Sequence, residues 1–200
     1  MKLLMENWRR YLLLKESVNP KILSMIDAAE KKGLKVYVTN KGGWGTAVLA
    51  TPKGDDPRPS GDFTASVGWS KPPRSSGNCL DAMEVNNSLA SDGFGPLVYD
   101  VAIEVTGGLI SDRQEVSGEA EAVWKKYVTD RDDVQINQLD ILDNFEEPQL
   151  TPDYIEDDCD QVPAHDRHGS DWHKSPLTKV IRKSGTPVMD ELRKRGMLQE

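Results

Sequence analysis

The chain has 200 residues, which suits one domain or one domain with a tail. Hydrophobic residues make up 37% and charged residues 29%, and no apolar run approaches the ~20 residues that a membrane-spanning helix needs. The formal net charge is -8, which disfavours general electrostatic binding to nucleic acid. We therefore expect no membrane partner and regard a nucleic-acid partner as disfavoured.

The two cysteines, Cys79 and Cys159, lie far apart and form no Cys-x-x-Cys unit. This spacing excludes a disulfide framework and predicts reduced thiols, which are usual in a cytosolic protein. Glu6 and the arginines after it interrupt any signal-type apolar stretch, so the N-terminus does not indicate secretion.

The N-terminal segment predicts two helices. Residues 1–17 predict an amphipathic leader helix, with apolar side chains at helical spacing and two arginines to one side. A second helix is expected from Pro20 to Lys32, because Asn19 can cap it, Pro20 suits its first turn and Gly33 can end it.

Strands are expected next. The alternating segments Leu34–Thr39 and Trp44–Thr51 predict a β-hairpin. Pro52–Gly61 is rich in proline, glycine and charge and predicts a solvated loop. Asp62–Trp69 and Cys79–Leu89 are expected to form further strands.

The central segment predicts two more helices. A glycine-rich turn, Ser91–Pro96, precedes a helix to Thr106 that has apolar residues on nearly every side and should be buried. A short strand, Leu109–Ser111, leads to a helix from Gly118 to Tyr127, for which Ser117 is the expected N-cap.

The C-terminal part is more polar. Val134–Leu142 predicts a strand or a short helix, and residues 140–171 predict an acidic linker or insertion. Three histidines, His165, His168 and His173, could gather a metal ion, but their spacing fits no standard zinc pattern. We expect a solvated loop there and no metal. Residues 172–200 are expected to pack on the domain, with a helix from Pro187 to Arg195.

The glycines of the central turn carry the main functional signal. Gly93 and Gly95 would let a phosphate group approach backbone amides at a helix N-terminus. The simpler interpretation, a tight turn between strand and helix, stays open because the third glycine of a dinucleotide fingerprint is absent.

The order of these elements and two segments, 92–97 and 117–124, resemble the core of the GNAT acyltransferase superfamily. The resemblance covers residues 20–127 and implies a GNAT-like domain over 18–139, an α/β (α+β) fold with a mixed, mostly antiparallel sheet flanked by helices. It implies that adjacent strands splay apart beside the Gly93 turn. It also implies acetyl-CoA as cofactor, with its diphosphate held at Gly93, Phe94, Gly95 and Pro96.

The same resemblance suggests catalytic groups. Backbone amides around Val85 and Asn86 would polarise the thioester carbonyl, and Glu84 would serve as general base. The simpler alternative, which the sequence favours, is that Glu84 is a carboxylate on a solvated strand face. The family's tyrosine, which protonates the leaving thiolate, is replaced by Trp124 at the matching spacing. Tyr127, one turn later, is therefore the candidate acid.

The first 17 residues also resemble capsid-targeting leaders of tailed-phage internal proteins. Leu14-Lys15-Glu16 matches the Leu/Ile-x-Glu tripeptide that a prohead protease cuts, which would leave Ser17 as the new N-terminus. An ordinary helix that packs on the domain is the alternative. The resemblance implies a prohead scaffold or prohead protease as partner, in the host cytoplasm or inside the phage capsid.

Three functions follow from these features. The first is transfer of an acetyl group from acetyl-CoA to an amine acceptor. The second is a non-catalytic virion or host-interaction protein on a degenerate GNAT scaffold, which the Trp124 replacement favours. The third and weakest is nucleic-acid contact through the basic cluster Arg193–Arg195, which is more simply a solvated face near a helix C-terminus.

Overall fold

A computed structural model describes residues 17–54, 56–72, 79, 82–139 and 159–200. Within these ranges the chain forms five α-helices, two 3₁₀ segments and one eight-stranded mixed sheet. The expected α/β (α+β) fold class is therefore confirmed. Residues 1–16 of the predicted leader and 140–158 of the predicted acidic linker lie outside the described residues.

All eight strands belong to one sheet, and the helices connect or flank them. The strands are β1 (Lys35–Asn40), β2 (Trp44–Lys53), β3 (Asp56–Ser70), β4 (Met83–Ala90), β5 (Leu109–Ile110), β6 (Gln135–Gln138), β7 (Lys179–Arg182) and β8 (Leu198–Gln199). The helices are α1 (Pro20–Lys31), α2 (Gly95–Thr106), α3 (Gly118–Asp130), α4 (Val162–His168) and α5 (Pro187–Lys194), and the 3₁₀ segments are Gly169–Lys174 and Pro176–Thr178.

The sheet has the strand order β6-β7-β5-β4-β3-β2-β1-β8. Two neighbouring pairs are parallel, β4 with β5 and β1 with β8, and the other pairs are antiparallel. The parallel β4–β5 pair is joined through α2, which is the usual kind of connection for parallel neighbours.

Helix α1 and the β1–β2 hairpin form where the sequence predicts them. The Asn19 side chain accepts a hydrogen bond from the amide of Lys21 (3.0 Å), Pro20 begins α1, and Gly33 follows it with a left-handed φ of 68°. The apolar side of α1 is buried, and β1 and β2 pair antiparallel from Lys35 to Asn40.

The predicted loop at 52–61 is wrong. β2 continues to Lys53, and β3 begins at Asp56 after a turn that contains Gly54. The register of this extension shifts three times, and Pro52 lies opposite Pro59. Proline cannot donate to a β-ladder, so it indicates a loop from sequence alone, but an irregular hairpin end tolerates it.

The hydrophobic core centres on α2. All eight residues from Leu97 to Glu104 are buried, as the all-round apolar pattern predicts. α2 packs on β2 and β3, and α1 and α5 pack against it. Gly107, with a φ of 73°, ends the helix before β5.

Five charged residues form a buried ion cluster beside α2. The Lys183 ammonium lies 2.7 Å from an oxygen of Asp100 and 2.9 Å from one of Glu104. The Arg131 guanidinium lies 2.7 Å from Asp100 and 2.6 Å from Asp133. Burial raises the pKa of Glu104, with the Lys183 charge opposing the rise. The cluster ties α2 to the segments that follow α3 and β7.

The expectation of reduced thiols is wrong. Cys79 and Cys159 form a disulfide with their Cα atoms 4.8 Å apart. Both are buried, together with Ala82, Ile110, Leu139 and Val180. The bond links the segment before β4 to the segment before α4 over a sequence separation of 80. Spacing alone missed it because the proximity of the two cysteines is created by the sheet, not by local sequence.

The histidine segment is helical where a loop was predicted. His165 and His168 lie on α4, and His173 lies on the first 3₁₀ segment. His168 Nε2 is 2.9 Å from an oxygen of Glu121 on α3, which docks this segment on the domain. The predicted helix α5 is confirmed. Strand β7 pairs with β5 towards one end of the sheet, and β8 is the strand at the other end.

Candidate functional site

A cleft opens where β4 and β5 separate. Their parallel pairing comprises two residue pairs, Met83 with Leu109 and Glu84 with Ile110. β5 ends there, while β4 continues to Ala90. The chain after β5 leads away to α3, so β4, α2 and α3 enclose a space beside the second half of β4.

The cleft holds two adjoining cavities of about 170 and 330 Å³, here called the inner and the outer cavity. Their shared lining includes Ser88, Tyr99 and Ser117. The inner cavity is further lined by Val85, Asn86, Asn87, Asp112, Glu115 and Trp124. The outer cavity is further lined by Leu89, Ala90, Gly95, Glu119 and Val123. The described lining includes carboxylates but neither lysine nor arginine.

A β-bulge shapes the floor of the inner cavity. Gly68 of β3 lies opposite Asn87, and the next residue, Trp69, lies opposite Val85, so Asn86 is an extra residue in β4. A Cβ atom at Gly68 would come within 2.8 Å of the Asn86 side chain, so this glycine makes room for it. The predicted residues Val85 and Asn86 therefore both line the cleft.

Some amides of the glycine turn already have acceptors within the protein. The amide of Ser91 donates to the carbonyl of Thr64 (2.9 Å), and that of Phe94 donates to the carbonyl of Ser91 (3.2 Å). Pro96 has no N–H, and the Phe94 side chain is buried. Of the four predicted diphosphate residues, Phe94 and Pro96 thus contribute shape rather than hydrogen bonds.

The remaining amides of the turn, those of Asp92, Gly93 and Gly95, have no acceptor among the described residues. Asp92 and Gly93 adopt left-handed φ values of 54° and 77°, which turn the chain sharply into α2. The Lys32 ammonium lies 2.7 Å from the Asp92 carboxylate and 5.4 Å from the ring centroid of Phe94. A cation and unpaired amides therefore meet at the N-terminus of α2.

Glu84, the predicted base, lies behind the wall of the cleft. Its side chain is 6% exposed and accepts a hydrogen bond from the backbone amide of Arg113 (2.7 Å). Burial raises the pKa of this carboxyl; the hydrogen bond from Arg113 opposes the rise and the charge of Asp112 adds to it. Glu84 is not part of the lining of either cavity.

Tyr127, the predicted acid, points into the protein instead. Its hydroxyl donates to an oxygen of Asp100 (2.5 Å), within the buried ion cluster. Burial, followed by the Asp100 charge, raises the pKa of this phenol well above its ordinary value. Trp124, one turn earlier on α3, lines the inner cavity, whereas Tyr127 does not.

Sequence reasoning missed Tyr99. It lies four residues after Gly95 and therefore on the same face of α2, which is the signal that could have found it. The side chain is 3% exposed and lines both cavities, and its buried hydroxyl has no hydrogen-bond partner among the described residues. Burial raises the pKa of this phenol, and the neighbouring Ser88 side chain opposes the rise.

The basic C-terminal cluster is occupied by carboxylates. Arg195 bonds to Asp27 (2.6 Å), Glu30 (2.8 Å) and Glu191 (2.7 Å). Arg193 bonds to acidic side chains as well. This charge is therefore largely neutralised within the protein.

The chain matches no family model, no curated protein and no solved structure. Within the described ranges, no helix has the length and apolar character required to cross a membrane. In the same ranges, no three His, Cys, Asp or Glu side chains are gathered in a way that could hold a metal ion.

Proposed function

We propose that this protein binds acetyl-CoA, or a related acyl-CoA, in the cleft beside β4 and transfers the acyl group to an amine. One observation carries the proposal: β4 and β5 separate after two parallel residue pairs, and β4 then continues to a glycine turn that opens a buried helix. Open space between diverging parallel strands is what the resemblance to GNAT acyltransferases implies.

The diphosphate would bind at the outer end of the cleft. The amides of Gly93 and Gly95 are available there, and the N-terminus of α2 favours negative charge. Lys32 lies beside the same turn and would supply a cation. The apolar and small side chains of the outer cavity would accommodate the pantetheine arm.

The reaction would take place where the outer cavity meets the inner one. The amine nitrogen attacks the thioester carbonyl carbon, the C–N bond forms, the C–S bond breaks, and the electron pair leaves with the sulfur. Backbone N–H groups at the Asn86 bulge would stabilise the developing oxyanion. The amine proton would pass to Asp112 or Glu115, which line the inner cavity. Glu84 and Tyr127, behind the walls, would act as positioning residues.

Ligand-dependent thermal unfolding with acetyl-CoA tests this proposal. A ligand at one hundred times its dissociation constant adds ~2.7 kcal/mol of stability, which raises the melting temperature of a chain of this size by roughly 5–10 °C. Lys32→Ala should weaken binding, whereas Lys31→Ala, the adjacent exposed lysine, should not. Absence of any shift in the wild-type protein at millimolar acetyl-CoA would contradict the proposal.

A non-catalytic role is the second candidate. The surroundings of the two predicted catalytic side chains favour this role, because both are hydrogen-bonded within the protein. Glu84 accepts from the Arg113 amide, and Tyr127 donates to Asp100. In this case the protein would serve in the host cytoplasm or inside a phage capsid, with the leader directing packaging. Mass spectrometry of purified particles tests it: a chain that begins at Ser17 supports packaging, and absence from particles excludes it.

A further inference from the structure

The sheet has a second face, on the side away from α2. In β2, Ala47 and Leu49 belong to the core beneath α2, so strand alternation turns Val48 and Ala50 to the opposite side. The described helices lie on the core side, since α2 contacts β2 and β3, and both α1 and α5 pack against α2. We call the opposite side of β1–β4 the back face. Its apolar side chains are Tyr37, Trp44, Val48, Ala50, Phe63 and Leu89.

The back face is a continuous apolar surface. The sheet register places Tyr37 of β1 opposite Val48 of β2, and Phe63 of β3 opposite Ala50. Around these residues, Trp44, Phe63 and Leu89 are 45–60% exposed and are the large apolar side chains that the described part of the chain leaves exposed. Large apolar patches on a soluble protein mark surfaces that another segment or molecule covers.

The centre of the back face is buried, although the described helices pack on the other side. Tyr37 is 7% exposed and Ala50 is 0% exposed. A tyrosine on a bare sheet is shielded by its neighbours from the sides only, so burial of the whole side chain needs a layer above it. The described residues supply no helix for that layer.

The N-terminal segment 1–16 has the composition and length of this layer. Leu4, Trp8 and Tyr11 recur at helical spacing and form an apolar stripe. A helix over residues 2–13 would be ~18 Å long, which matches the ~15–20 Å width of four neighbouring strands. Residues 14–18 can extend ~17 Å, which exceeds the ~10 Å thickness of one helix layer. The segment can therefore reach the back face from the start of α1.

Charge and connectivity favour the same segment. Residues 1–16 carry a net charge of +2, and the rest of the chain carries -10, so the segment is attracted to the domain. The other long stretch outside the described residues, 140–158, is strongly acidic. It follows β6, which lies at the far end of the sheet from β1.

We infer that residues 1–16 dock as an amphipathic helix on the back face, with the apolar stripe against Tyr37 and Val48. The basic side chains Arg9 and Arg10 remain at the solvent side of this helix. The docked segment closes the apolar surface in the full chain. This inference is independent of the proposed acyltransferase activity, which uses the other side of the sheet.

Substitutions in the segment test the inference in the full chain. Leu4→Asp/Trp8→Asp places charge on the apolar stripe, and Leu13→Asp is the matched control because helical spacing puts it on the opposite side. We expect Leu4→Asp/Trp8→Asp to shift the ¹H–¹⁵N amide signals of Tyr37, Val48 and Ser66. It should also lower the urea midpoint by at least ~0.5 M, whereas Leu13→Asp should do neither. An unmoved signal of Gly185, in the turn before α5, establishes that the domain is folded.

A substitution on the sheet tests the same contact from the other side. Val48→Lys should lower the urea midpoint if a helix covers this position, whereas Thr39→Lys, at an exposed position of β1, should not. In the Leu4→Asp/Trp8→Asp background the segment is already displaced, so Val48→Lys should then lower the midpoint much less.

Several outcomes would overturn the inference. These are equal effects of Leu4→Asp/Trp8→Asp and Leu13→Asp, unmoved signals of Tyr37, Val48 and Ser66, or an effect of Val48→Lys that is the same in both backgrounds. Light scattering supplies a further test. A dimer of the full chain whose dissociation on dilution shifts these three signals would identify a second copy as the occupant and would also overturn it.

Discussion

Reduction of the Cys79–Cys159 disulfide should destabilise the protein strongly. The bond closes a loop with a sequence separation of 80. In the chain-entropy description, a loop of that length lowers the entropy of the unfolded chain enough to stabilise the folded state by about 4.5 kcal/mol. Domains usually have only ~5–15 kcal/mol of total stability, so the loss would be a large part of the whole.

Urea unfolding with and without dithiothreitol measures this effect. With a slope of ~2 kcal/mol/M, the midpoint should fall by about 2 M on reduction. The double variant Cys79→Ala/Cys159→Ala should unfold at a similarly low concentration and should not respond to the reductant. Both sulfurs are buried, so reduction is carried out in the unfolded state before refolding.

Two results would refute this reasoning. One is an unchanged midpoint after complete reduction, which would mean that the loop closure contributes no stability. The other is alkylation of both cysteines in denatured, unreduced protein, detected by mass spectrometry, which would mean that the bond is absent.

Three further substitutions test the fold and the site. Lys183→Met removes a cation from the buried ion cluster and should cost about 3–5 kcal/mol at pH 7 in urea unfolding, whereas Lys174→Met, at an exposed pair, should cost under ~0.5 kcal/mol. The cost of Lys183→Met should shrink towards pH 5. Burial already raises the pKa of Glu104, and a carboxyl whose pKa is raised in the folded state makes the protein more stable as the pH falls. Gly45→Ala should cost about 1–3 kcal/mol, because its Cβ would overlap a backbone carbonyl of β1, whereas Gly43→Ala has open space and should be nearly neutral in the same measurement. Tyr127→Phe should lose about 1–3 kcal/mol of stability yet keep its acetyl-CoA affinity, and a selective loss of affinity in the titration would contradict the positioning role.

Local signals predicted the helices well. The ends of α1 follow from Asn19, Pro20 and Gly33, because caps act on the residues beside them. The burial of α2 follows from its apolar residues on every side. These features depend on residues that are close together in the chain, so a single sequence is enough to predict them.

Contacts between residues far apart in the chain could not be predicted in the same way. The Cys79–Cys159 bond and the continuation of β3 through Pro57 and Pro59 depend on partners that the folded sheet supplies. The docking of His168 on Glu121 joins segments 47 positions apart. From sequence alone, a proline-rich or acidic stretch indicates a loop, because the strand or helix that it packs against is not known.

The site shows the same division. Gly95, Val85 and Asn86 were expected at the cleft and lie there. Strand alternation explains why Glu84 points away from Val85, and the bulge at Asn86 then changes that alternation, which no pattern in the sequence reveals. The unpaired hydroxyl of Tyr99 could not be predicted, because it depends on what α3 and β4 leave around it.

The most direct test of the central proposal is a ¹H–¹⁵N NMR titration with acetyl-CoA. The amides of Gly93 and Gly95 are predicted to shift most, together with Asn86 at the bulge, because these groups would contact the diphosphate and the thioester. The signal of Gly185, in the turn between β7 and α5, serves as the internal control. If acetyl-CoA leaves the Gly93 and Gly95 signals unmoved, the cleft does not bind the cofactor and the proposed acyltransferase activity is contradicted.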